Sequence, residues 1–135
     1  MKVLIRETMS SITNKQNGLG VKRIFKATNC SFNGFKAACI HESAFRQELL
    51  LSVTLFPFSF LLAQSNFHWL LLCGSILFVL FAEIINSALE ALADSITLEH
   101  HILIGRAKDM GSSGVFIALV FLLLVWCEAI FVYFS

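Results

Sequence analysis

The stretch AEIINSALEALADSITLEHHILIGRAKDMGSSG, residues 82–114, begins inside one long apolar run and ends at the start of another. At about 100° per residue, Glu83, Asn86, Ser87, Glu90 and Asp94 fall within roughly a third of one helix circumference. They make a single polar stripe on a helix that is otherwise greasy. A carboxylate facing lipid is expensive, so the stripe must face a partner helix, a cavity or a substrate. Polar side chains in a span also glue helices together, and that reading stays open for Asn86 and the glutamates.

Working outward, no Asp, Glu, Lys or Arg separates Glu48 from Glu83. That interval is too long for one crossing and is interrupted at Gln64-Ser65-Asn66. It therefore predicts spans over about 44–63 and 68–93, each near the roughly 20 residues that a bilayer requires. A third span is predicted over about 112–134. Pro57 is tolerable inside a span whose neighbours satisfy the freed carbonyl. His68 and Trp69, and later Trp126 and Tyr133, suit the far interface, with Glu128 silent beside it. The composition agrees: 57% of the 135 residues are apolar and 14% are charged, with a mean hydropathy of +0.78. A soluble domain carries about a quarter charged residues. The expected fold is an all-α integral membrane protein with three transmembrane helices and an N-terminal amphipathic surface helix. The four cysteines (Cys30, Cys39, Cys73, Cys127) lack CxxC spacing and read as small apolar packing residues.

Residues 1–20 read as a polar tail, because Arg6, Glu7 and Lys15 interrupt any signal-peptide core. Residues 21–135 form the membrane domain. Over about 21–41, Val21, Ile24, Phe25, Thr28, Phe32, Phe35 and Cys39 recur at spacings of three and four, with Lys22, Arg23, Lys26 and Lys36 off that stripe. A basic amphipathic helix of this kind suits an anionic membrane surface, with a possible break at Asn33-Gly34. Basic residues crowd the region before span one and recur at Arg106 and Lys108, while the turn between spans one and two has none. The positive-inside rule then puts the N-terminus and the 94–111 loop in the cytoplasm.

Glu83 lies deepest in the stripe, where a carboxylate can serve as a general base. Glu90 and Asp94 lie nearer the boundary, within reach of a hydrated cation. Magnesium takes oxygen ligands, commonly one or two carboxylates plus substrate phosphates. Lys108 followed by Gly-Ser-Ser-Gly (111–114) at a helix start would offer a point charge and backbone N–H groups to phosphate. Gly111 and Gly114 also suit plain close packing. His100 and His101 lack partners at metal-ligand spacing. No P-loop and no protein-kinase motif is present.

EIINSALEALAD (83–94) and GRAKDMGSSGV (105–115) closely resemble the prokaryotic diacylglycerol kinase family, as do HESAFRQE (41–48), KRIFKATNCSFNGFKAA (22–38) and the three-span layout. The resemblance runs from about Val21 to the C-terminus. It implies a homotrimeric kinase of the bacterial inner membrane that moves the γ-phosphate of magnesium–ATP to diacylglycerol, giving phosphatidic acid. Glu83 would be the catalytic base, and Glu42 and Glu90 would hold Mg2+. Asn86 and Asp94 would support the site. Arg23, Cys30, Glu99, His100, His101, Lys108 and Asp109 would lie along the nucleotide, together with Glu42 and Glu90. Arg23, Ala44, Phe45, Arg46, Gln47, Glu48 and Glu83 would line the lipid's place. Cys30 stands where the family often carries a tyrosine, and Thr28 replaces a small alanine.

An undecaprenol kinase of the same family is the nearest alternative, although Arg46-Gln47-Glu48 resembles the diacylglycerol branch more. A small proton-coupled multidrug transporter would explain Glu83 but leaves Glu90, Lys108 and Asp109 without work. A non-enzymatic scaffold would use the polar stripe only to join helices. No nucleic-acid partner is expected; ATP, diacylglycerol and the surrounding membrane lipids are.

Overall fold

The computed structural model describes residues 20–96 and 101–135, so the expectations for residues 1–19, Glu99 and His100 lie outside the described residues. Those residues form four helices and no strand: α1 over Val21–His41, α2 over Ser43–Leu62, α3 over Asn66–Ile96 and α4 over Ile102–Phe134. The chain divides into two compact units, one ending at Gly34 and the other beginning at Phe35.

In the first unit the helical backbone of α1 continues through Asn33 and Gly34, where a break was expected. A glycine inside a helix costs about 1 kcal/mol relative to alanine, which a long helix absorbs. Thr28 and Ser31 return their hydroxyls to the carbonyls of Ile24 and Ala27. Val21, Ile24, Phe25 and Phe32 are all well exposed, leaving the apolar stripe open.

The second unit holds three helices long and apolar enough to cross a membrane. Between 22% and 28% of each span's most apolar window is buried within the chain. Most of its greasy surface is therefore left for lipid or for other chains. α3 packs chiefly on α4 and also on α2, while α2 and α4 barely meet. The buried core is Leu72, Ile76, Val125, Trp126 and Ala129. Trp126 sits inside it and not at the interface expected from its ring, because its indole N–H has a buried partner: Nε1 donates to Ser75 Oγ at 3.2 Å. Ser75 in turn donates to the Leu72 carbonyl at 2.7 Å. A second tryptophan repeats the pattern, Trp69 Nε1 donating to Ser59 Oγ at 3.1 Å. At the same end Glu128 stands 3.3 Å from His68 Nε2, and His68 Nδ1 accepts the backbone N–H of Gln64.

The helices differ in length, and the difference positions the site. α2 has 20 residues, about 30 Å at 1.5 Å per residue, which matches the hydrocarbon core. α3 has 31 residues and α4 has 33, roughly 46 and 50 Å, so both outrun that core. The expected loop over 94–111 shrinks accordingly: α3 continues to Ile96 and α4 already begins at Ile102.

Candidate active site

The site lies at the end of the bundle where α1 meets α2 and α3 approaches α4. Glu42 is the single residue between α1 and α2 and has extended backbone, with no side-chain cap bond on α2. Its carboxylate is thus not spent on capping. The joint is held elsewhere: Arg46 Nη1 donates to the carbonyls of Cys39 and Ile40 at 3.1 Å each, satisfying the last turn of α1. Phe45, 1% exposed, pins the first turn of α2 inside the protein, while Ala44, Arg46 and Gln47 are exposed. Arg46 and Phe45 therefore have structural work at positions expected to line a lipid's path.

On α3 the stripe turns inward as its periodicity requires. Glu83 is 3% exposed, and Asn86 and Ser87 are buried beside it. The charges of Glu90 and Glu42 both act on Glu83, and that of Glu83 acts on Glu48. Four carboxylates from α2, α3 and the joint are thereby brought together. Two polar atoms here have no protein partner, Glu48 Oε2 and Asn86 Oδ1, both buried without a hydrogen bond, while the Ser87 hydroxyl lies against the Glu83 carboxylate. A buried acceptor left open costs about 1–3 kcal/mol, so such a group asks for a ligand. Asn86 Nδ2 donates to Glu90 Oε1 at 3.1 Å, fixing one oxygen of that carboxylate.

α4 contributes a cation. Lys108 Nζ lies 2.9 Å from Asp94 Oδ1, and the charges of both Asp94 and Glu90 act on it. Asp109 and His101 are exposed, and the His101 side chain does not cap α4. Gly111, Ser112, Ser113 and Gly114 lie well inside α4 and not at a helix start. Their N–H groups belong to the helix's own bonds and cannot cradle phosphate. The expectation misjudged where α4 begins, since Gly105 and the charged residues after it read as loop and are helical. Gly111 instead makes space: a Cβ there would stand 2.5 Å from Asn86 Oδ1. Arg23 and Cys30 belong to the first unit.

Among the described residues, no three His, Cys, Asp or Glu side chains form a metal cage. Magnesium does not need one, because one or two carboxylates suffice when phosphates complete the shell. The hard oxygen donors of Glu42 and Glu90 fit such an ion.

Buried carboxylates and open acceptors at one end of three apolar helices define a class, the membrane protein with a polar site within its spans. The model of the prokaryotic diacylglycerol kinase family matches residues 29–130, and this chain belongs to that family. It is 46% identical over 107 residues to a diacylglycerol kinase of Pseudomonas aeruginosa, covering 79% of this chain and 87% of that protein. A diacylglycerol kinase of Haemophilus influenzae is 40% identical over 112 residues, 83% of this chain and 95% of the relative. One from Escherichia coli K12 is 41% identical over 119 residues, 88% and 98% of the two chains.

Proposed function

We propose that this chain is an ATP-dependent lipid kinase that phosphorylates diacylglycerol to phosphatidic acid. The observation that carries the reading is the burial of Glu83 among Glu42, Glu48 and Glu90 beside acceptors with no protein partner. In the reaction, the lipid hydroxyl oxygen forms a bond to the γ-phosphorus while the bond from that phosphorus to the bridging oxygen of ADP breaks. Glu83 takes the hydroxyl proton. Glu42 and Glu90 would hold Mg2+, whose charge would offset that of the phosphates. Asn86 orients Glu90, and Asp94 orients Lys108 towards the nucleotide phosphates. Asp109, His101, Glu99, His100, Arg23 and Cys30 lie along the nucleotide, and Ala44, Gln47 and Glu48 along the lipid. Phosphoryl transfer depends on positioning and charge neutralisation above all, so a few residues on three helices suffice.

The working state is a homotrimer in the bacterial inner membrane with the N-terminus in the cytoplasm. The large apolar surface left open on each chain supports association. The membrane kinase domain is residues 21–135, with residues 1–20 outside it, and α1 lies along the membrane surface.

The test is transfer of labelled phosphate from magnesium–ATP in mixed micelles, with diacylglycerol and undecaprenol offered separately. Label in phosphatidic acid, lost in Glu83→Gln, is expected. Label in the isoprenoid alone would reassign the substrate, and no label from an assembled oligomer would sink the reading.

A further inference from the structure

We infer that Gly111 is a positioning residue of this site: its missing side chain is what lets Asn86 hold Glu90. The inference rests on the reading of Glu90 as a holder of the divalent cation.

Glycine at 111 has no conformational reason to be there. Among the described residues only Gly20 has a positive φ, and a glycine in a helix interior costs about 1 kcal/mol against alanine. The reason is space. A Cβ at 111 would lie 2.5 Å from Asn86 Oδ1 and 3.4 Å from Leu89 Cδ1, whereas at Gly114, one turn on, it would meet nothing within 4 Å. The two glycines look alike in sequence and only one carries a constraint.

The atom it would strike is the far end of a flexible side chain, so the helices need not separate. The amide would turn instead. That amide is clasped from two sides: Oδ1 sits against the bare face of Gly111, and Nδ2 donates to Glu90 Oε1 at 3.1 Å. Oδ1 has no hydrogen-bond partner to hold it against rotation. Turning the amide breaks the bond that orients Glu90 and spares the fold.

The test uses the full-length protein in detergent micelles. Mn2+ binding is titrated by electron paramagnetic resonance with a non-hydrolysable ATP analogue, beside the Mg2+ dependence of transfer and the oligomer's elution volume. Losing a group that orients a metal ligand typically weakens metal affinity about tenfold or more, and Gly111→Ala should do so with assembly intact. Gly114→Ala should behave as the parent. In an Asn86→Ala background, Gly111→Ala should add nothing, since the atom it strikes is gone. Unchanged Mn2+ affinity in Gly111→Ala overturns the inference, as does an equal loss with Asn86 already removed, which would mean helix packing. Glu90→Gln is run alongside. If it binds Mn2+ as tightly as the parent, the reading of Glu90 fails and takes the inference with it; if it binds weakly while Gly111→Ala does not, only the inference fails.

Discussion

The two ends of the three-helix bundle both bury polar groups, and serine and tryptophan at one end are treated differently from amide and acid at the other. At the tryptophan end, Ser75 and Ser59 each donate to a carbonyl one turn back and accept an indole N–H. At the acidic end, Asn86 Oδ1 and Glu48 Oε2 are buried with no hydrogen to accept. Polarity in a membrane span thus has two meanings. Satisfied groups fix helices in register; open ones wait for a ligand.

Substitutions at the two ends should therefore fail differently. The largest effect is expected for Glu83→Gln, which should cut phosphate transfer by roughly a hundred- to ten-thousandfold. Circular dichroism and elution volume should not change. Glu90→Gln should come next, raising the Mg2+ concentration for half-maximal transfer at least about tenfold; a shift in lipid KM alone would break the assignment. At the other end, Ser75→Ala strands the Trp126 N–H and should cost about 1–3 kcal/mol in unfolding, with KM for ATP and lipid unchanged. Pairing it with Trp126→Phe should restore most of that loss, since both partners are then apolar. The smallest effect belongs to Glu128→Gln, for an exposed partner of His68. It should leave transfer rate and melting temperature as they are, and a loss of activity there would blur the contrast between the ends.

Much of this was readable beforehand. Glu83, Asn86 and Ser87 turn inward as their spacing requires, while Glu90 is half-buried and Asp94 is exposed at the projecting end of α3; the number of spans follows from the apolar runs. What escaped were facts that live between helices. Trp126 reads as an interface residue until Ser75, 51 positions away, is found beside it. The start of α4 was misplaced because a segment rich in charge with a glycine looks like loop, yet a helix that outruns the bilayer can carry charge on its projecting turns. Gly111 and Gly114 are indistinguishable by local pattern, and only the approach of α3 separates them. Arg46 looked like a ligand group and is occupied at the end of α1.

The joint at Glu42 has one more consequence. A single non-helical residue joins α1 to α2, its N–H bonded to the Ala38 carbonyl at 2.9 Å and its own carbonyl facing the Arg46 N–H at 3.4 Å. Such a joint has no slack, so it works as a phase setting. One residue inserted after Glu42 would change both the rotation and the reach of the last turn of α1 against Phe45 and everything beyond it. The length of the hinge, as much as the identity of the acid upon it, decides which way the Glu42 carboxylate points.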